Sequence, residues 1–330
     1  MSLFSRARPG MPAPKKRIRG FLGLPGELRN KIYDYYFEED LRVEFAAKGT
    51  ELIQARPPNN IVKLRLNLVD QGGARRNSPV AKVEKGPKTL RMSRCLGRYQ
   101  RVHSLATLWE SSLCALIYVC KQIYSEALSF LYRHANFVFA APKRIKNYMD
   151  IVPQQNLVCM TKLELHYNTY GSPLLEQHRV WPEKHRESWM SASKQATKKL
   201  VNLKQLKLWI HVHERSVLLD LRQPWLQPIL QFRRLNCPFQ KASASPQTNV
   251  RQPLEVVNVR FKTFWSGPHR FSTNFRLAKA SVDLHQLFAQ AISLFIIGKS
   301  EDTAMAGFKE AWEGKYSEWR HHLNYSATGW

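Results

Sequence analysis

The residues best suited to chemistry in this sequence are His211 and His213, two imidazoles separated by a single residue. On an extended strand alternate side chains share a face, so both rings could reach one ion. Glu164 or His166, on a strand expected next door, would add a ligand. A metal centre needs three or four placed ligands, and the plainer assignment is two polar residues on one strand face. Five cysteines (Cys95, Cys114, Cys120, Cys159, Cys237) are odd in number, scattered, and lack a C-x-x-C spacing. They read as reduced thiols in a cytoplasmic or nuclear protein. Cys114 and Cys120 fall on or beside an apolar helical stripe, as small buried hydrophobes would. There is no G-x-x-x-x-G-K-[ST] loop, G-x-G-x-x-G turn, G-x-S-x-G elbow or H-E-x-x-H pair. No two acids form an obvious acid/base couple; any such pair must be assembled in space. The sequence thus predicts no catalytic residue, no metal and no cofactor, and a protein that is not an enzyme.

These residues need elements to position them. A helix is expected from Pro25 to about Phe37, with Leu28, Ile32 and Tyr35 or Tyr36 at helical spacing and Glu27 favourably placed in its first turn. A strand pair, Leu41–Phe45 and Ile61–Val69, should follow. The clearest helix runs from about Glu110 to Tyr132, on a stripe of Leu113, Leu116, Ile117, Cys120, Tyr124, Ala127, Leu128 and Leu131. Beyond it, strands at Phe137–Phe139, Lys162–Tyr167, Gln205–Val212 and Val256–Phe261 alternate with helical stretches near Pro142–Ile151, Lys184–Leu200 and Val217–Leu235. Cys237–Pro253 is rich in Ser, Pro and Gln and reads as a loop. Alternation of this kind predicts an α/β fold with an α+β tendency, built of βα units on a largely parallel sheet. The segments beginning at Met160 and Leu203 resemble each other, but their spacing is too long and irregular for leucine-rich repeats; the units are solenoid-like instead. Two amphipathic helices, about Ser281–Ile297 and Thr303–Leu323, close the chain, the last with an aromatic stripe of Phe308, Trp312, Tyr316 and Trp319 that reads as core.

The 330 residues are 44% hydrophobic and 23% charged, which fits a globular core. Lys and Arg number 51 against 25 acids, a formal charge of +26. Such a surface attracts polyanions whether or not it binds them in its function. Six cations and no acid precede Glu27, so residues 1–20 are expected to be a disordered basic tail, with Lys15, Lys16, Arg17 and Arg19 as a candidate nuclear import signal. Nine cations against Glu84 alone mark 75–101, and the region 71–101 reads as a mobile basic loop. The rest, 21–330, is expected to be one compact body. No apolar run reaches the roughly 20 residues of a membrane span, so no membrane partner is expected.

Two segments carry a resemblance. Phe21–Phe37 (FLGLPGELRNKIYDYYF) is similar to the opening signature of a group of uncharacterised filamentous-fungal proteins, an apolar residue followed by L-P-x-E-L-R-N-x-I-Y. Val119–Tyr132 (VCKQIYSEALSFLY), followed by Asn136–Phe139, resembles that group's V-C-x-Q-I-x-x-E-A helix and N-x-F strand. The group is described as F-box-like. Leu24, Pro25, Glu27, Leu28 and Ile32 match the first part of an F-box, and Val119, Cys120 and Lys121 the second. The resemblance implies an F-box-like helical region over 21–140, packed on the α/β units of 141–330. It also implies a non-enzymatic interaction protein in which those five residues dock on a Skp-type adaptor and the remainder recruits an unknown protein substrate to a cullin ubiquitin ligase. Two features complicate it. About 80 residues separate the two parts, whereas an F-box is compact, and Leu24, Leu28 and Ile32 would equally serve to pack the first helix on the second. The alternative is a basic nuclear protein that binds nucleic acid without strong sequence preference.

Overall fold

A computed structural model describes residues 20–37, 41–47, 50, 52, 60–63, 88–92, 115–171, 178, 180–214, 217–236, 254–264, 271 and 273–323; for 60–63 and 88–92 it describes the backbone alone. After a 3-10 turn at Phe21–Gly23, the elements follow in the order α1 (Gly26–Phe37), β1 (Arg42–Phe45), β2 (Asn60–Lys63) and β3 (Lys88–Met92). A 3-10 turn at Ala115–Tyr118 then leads to α2 (Lys121–His134), β4 (Asn136–Phe139), α3 (Pro142–Ile151), α4 (Gln154–Val158) and β5 (Lys162–Asn168). The chain continues through α5 (Val180–Lys199), β6 (Gln205–Val212), α6 (Gln227–Leu230) and β7 (Val256–Thr263), and ends in α7 (Phe275–Ile297), α8 (Glu301–Glu313) and the short α9 (Arg320–Leu323).

The α/β class is as the alternation predicts. The seven strands form one sheet in the order β2-β3-β1-β4-β5-β6-β7, and every pairing is parallel. Register aligns Val43, Phe137, Leu163, Leu206 and Val257 across five strands, and Phe45, Phe139, Leu165 and Leu208 two residues on. This apolar face receives the helices. Tyr148 of α3 meets Phe45, Phe137 and Phe139 at ring distances of 4.9, 5.6 and 5.3 Å, Trp189 of α5 meets Tyr167 at 5.2 Å, and Phe288 of α7 meets Phe261 at 5.1 Å. The similar segments at Met160 and Leu203 occupy equivalent places: Lys204 N–H donates to the carbonyl of Thr161, and Glu255 N–H to that of Lys204, so each strand enters the sheet on its predecessor.

Several expectations are corrected. The strands β1 and β2 are not a pair; β3 lies between them. That strand falls inside the region expected to be a loop: Lys88–Met92 is short and basic and shows no apolar period, so only pairing with β1 and β2 makes it a strand. The helix expected from Glu110 is interrupted. Cys120 is extended (φ −161°, ψ 167°) and acts as N-cap, its Sγ accepting from Ile123 N–H at 3.5 Å. The thiol thus ends one helical segment and opens the next, while the apolar spacing runs on through both. The core of α2 is Ile123, Ala127 and Phe130, whereas Tyr124 is exposed. Around Val217–Leu235 the only helical parts are α6 and a 3-10 turn at Gln231–Leu235. The helix α7 starts at Asn274, whose side chain caps Leu277 N–H, and stops at Gly298 in the left-handed conformation (φ +114°). It is long and apolar enough to cross a membrane by length and composition, yet half of its most apolar window is buried inside the protein. The helix expected over Thr303–Leu323 is broken: α8 stops at Glu313 and a 3-10 turn and α9 follow, while Phe308 and Tyr316 enter the core as expected. Residues 1–19, 64–87, 93–114 (with Cys95, Cys114 and the helix start at Glu110) and 237–253 (with Cys237) lie outside the described residues. The expectations for the tail, with Lys15, Lys16, Arg17 and Arg19, for most of 71–101 and for that loop therefore go with them.

Candidate functional site

The two sequence signatures meet in space. Along α1 two stripes run side by side. Arg29, Tyr33 and Phe37 recur every fourth residue and face the protein; Leu28 and Ile32 lie one residue earlier on the turn and face out, as does Tyr35. Tyr33 and Phe37 are buried, and Tyr33 packs against Phe130 of α2 at 5.5 Å. Arg29 forms a two-pronged pair with Glu126 of α2, both N···O distances being 2.9 Å. Tyr33 Oη–H donates to the same carboxylate at 2.9 Å, and Gln122 Nε2 at 3.1 Å. Arg29 also reaches back to the carbonyl of Leu24 at 2.5 Å. His134 and Asp34 join the two helices again at 2.9 Å. The residues R, Y, Q and E of the two signatures thus form a clasp between α1 and α2.

Electrostatics agree with this geometry. The hydrogen bond from Arg29, helped by Gln122, holds the Glu126 carboxyl at about 2, below the ordinary carboxylate range. Burial and the neighbouring carboxylate push the Tyr33 hydroxyl up to about 12. At neutral pH the clasp is a charged pair plus a neutral phenol donor.

The five candidate docking residues now have places. Leu24 is half-buried; Pro25 is exposed and precedes α1, its carbonyl accepting from Leu28 N–H and Arg29 N–H, so the helix begins one residue later than expected. Glu27 is exposed in the first turn. Leu28 and Ile32 are 46% and 41% exposed, and Tyr35 75%. Packing on α2 is therefore not what Leu28 and Ile32 do: Arg29 and Tyr33 take that role. Leu22, Val119 and Tyr124 add further exposed apolar side chains in the same two signatures.

The 80-residue separation has a structural explanation. Strands β2 and β3 both come from the inserted stretch, and they extend the sheet on the side of β1 away from β4. The adjacency of β1 and β4, and with it the meeting of α1 and α2, is left intact.

A second cluster escaped sequence reasoning. Glu164, buried on the face of β5 opposite the helix layer, accepts from Arg42 Nη1 at 2.6 Å, Asn136 Nδ2 at 2.8 Å, His166 Nε2 at 2.9 Å and Trp209 Nε1 at 3.0 Å. Arg42 also pairs with buried Glu44 at 2.8 Å. Burial alone would raise the Glu164 pKa; His166, Arg42 and Asn136 overcome it and hold it at about 2. The sequence signal was the pairing of Glu44 and Glu164 with apolar neighbours inside strands, which marks acids on a strand buried on both faces. The cluster takes up Glu164 and His166, the two residues that could have added a ligand to His211 and His213. His211 and His213 do approach, at 4.1 Å between ring centres, but the registry partners of His211 are Asn168 and Lys262, and Glu164 and His166 are committed elsewhere. Among the described residues no group of three or more His, Cys, Asp or Glu could hold a metal ion.

A family model described as a domain of unknown function (DUF7730) matches residues 18–253. The chain belongs to this family. The DUF7730 match begins just before α1, takes in both signatures, the clasp and the Glu164 cluster, and ends before β7. No curated protein and no solved structure matches the chain.

Proposed function

We propose that the chain is a non-enzymatic protein-interaction module of F-box-like type, which docks on a Skp-type adaptor of a cullin ubiquitin ligase through the outward face of α1. One observation carries the reading. The residues that a helix would need to display, Leu28 and Ile32, are exposed, while an independent set, Arg29, Tyr33 and Phe37, anchors the same helix. A surface helix normally turns its apolar residues inward; exposed apolar side chains beside an ionic anchor fit an interface waiting for its partner. The Glu164 carboxylate is saturated by four internal donors and has no capacity left for a substrate, so this cluster acts in the fold and not as a catalytic centre. A bound substrate protein would then engage the α/β part.

The test pairs capture with stability. Wild-type chain and the variants Leu28→Asp and Ile32→Asp are each mixed with purified Skp-type adaptor and melted separately. Capture by wild type, loss in both variants and unchanged melting are expected. Absence of wild-type capture would overturn the reading.

A further inference from the structure

The sheet ends at β7, and among the described residues no strand pairs with its outer edge. Val256 N–H donates to the carbonyl of Lys204 and Phe264 N–H to that of Val212. Backbone groups alternate along a strand, so residues 256, 258, 260, 262 and 264 bond inward to β6. Val257, Val259 and Phe261 present their N–H and C=O groups outward. A row of outward groups is a template for one more strand.

The edge is not bare. A groove of about 1150 Å³ runs along it, lined by Val257 to Phe264 on one side and by α7 on the other. The α7 wall carries Val282, Ala289, Leu294 and Ile297, with Gln286 and Gln290 between them; Val282 and Leu294 are exposed. The opposite face of β7 carries Arg260 and Lys262, both exposed, with His211 beside Lys262 in register. The lining contains no Asp or Glu. A strand laid beside β7 would point alternate side chains into these two environments, one apolar and one cationic.

We propose that this groove binds an extended acidic segment of a partner protein, which joins the sheet as an eighth strand beside β7. Main-chain hydrogen bonds to Val257, Val259 and Phe261 give the affinity. Apolar side chains of the segment enter against α7, and its carboxylates pair with Arg260 and Lys262, so the preferred sequence alternates acidic and apolar residues. The eight residues of β7 accommodate a partner strand of about six residues, or about 20 Å. A nucleic acid is the weaker occupant for this surface. Trp209, beneath Arg260, is already stacked on His166 at 5.5 Å and covered by the Arg260 guanidinium at 4.4 Å, so its faces are taken and it offers a base no platform. The β7 and α7 walls of the groove lie beyond the family match, and the proposal is independent of the adaptor reading for α1.

The test uses the full chain and a fluorescein-labelled, end-blocked peptide of alternating glutamate and valine. Anisotropy should show saturable binding. N-methylation of the alternate peptide nitrogens that face β7, which removes the N–H donors to the edge, crowds the paired backbone and keeps the charge, should weaken it at least tenfold. Replacing glutamate by lysine should abolish it, and the Arg260→Glu/Lys262→Glu variant should weaken it at least tenfold with unchanged melting. In parallel, amide exchange at Val257, Val259 and Phe261 should slow when peptide is added, a readout that needs no variant. No saturable binding would overturn the proposal. So would equal binding of the N-methylated peptide, or displacement by an oligothymidylate with no exchange protection, which would mark a mere polyanion patch. Self-association of the chain that blocks the peptide would assign the edge to a second copy instead.

Discussion

Replacing Glu164 by Gln is the most informative single perturbation. The carboxylate is almost fully buried and accepts four hydrogen bonds, two of them from the charged or chargeable Arg42 and His166. The amide keeps the volume, but its nitrogen turns a donor toward donors, and Arg42 is left with Glu44 alone. Removing one partner of a buried, hydrogen-bonded charge pair costs about 3–5 kcal/mol. Linkage gives an independent figure. The folded pKa lies near 2 against 4.5 for the free group, a difference worth about 3 kcal/mol at 1.36 kcal/mol for each pH unit. Because the folded value is depressed, this stabilisation is fully present above pH 4.5 and fades as pH falls through 2. Urea unfolding followed by tryptophan fluorescence at pH 7 and at steps down to pH 2.5 is the assay. Glu164→Gln should lower stability by about 3 kcal/mol or more at pH 7, and the gap to wild type should narrow below pH 4.5. A loss under about 1 kcal/mol, the size of one ordinary hydrogen bond, would refute the argument. So would a gap that stays constant down to pH 2.5.

Other outcomes follow from neighbouring features. Tyr33→Phe removes one donor from the clasp and should cost about 1 kcal/mol in urea unfolding, whereas Arg29→Ala should loosen α1 enough to speed its proteolysis. Cys120→Ser should keep the cap of α2 and match wild-type stability, while Cys120→Ala should lose about 0.5–1 kcal/mol, read as the urea midpoint. Gly171 adopts φ +84° and a Cβ there would sit 3.2 Å from that of His213, so Gly171→Ala should destabilise by about 1–3 kcal/mol.

The legible part of this fold is the part where one physical signal dominates. Strands β5 and β6 carry Leu163, Leu165, Tyr167 and Leu206, Leu208, Ile210 in strict alternation, and both lie within a residue of the expected limits. Pro142 marks the start of α3 because its missing N–H is harmless there. Where two apolar stripes compete, periodicity does not choose. In α1 both the Leu28/Ile32 and the Tyr33/Phe37 rows have helical spacing, and the choice is made by Glu126, a residue 93 positions beyond Tyr33. For the same reason the sequence offers Glu164 only as a possible extra ligand beside His211 and His213, because its partners Arg42 and Asn136 arrive from β1 and β4. Strand order is equally non-local: nothing within Lys88–Met92 announces that it separates β1 from β2. Of the candidate docking set, the helix and its sequence motif were legible, and the direction each side chain faces was not.

The strand order also sets a timetable for synthesis. Strands β4, β5 and β6 each pair with their immediate successor, so each finds that neighbour soon after it is made. The strand β1 has no partner until Lys88–Met92 and Asn136–Phe139 have been translated. At about 5–20 residues per second that is a delay of roughly 5–20 s between the emergence of β1 and that of β4. For most of that interval α1 has neither Glu126 to hold Arg29 nor Phe130 to cover Tyr33, and both of its apolar rows face water. The segment being synthesised therefore exposes both rows at once, whereas the finished fold leaves only the Leu28/Ile32 row in water.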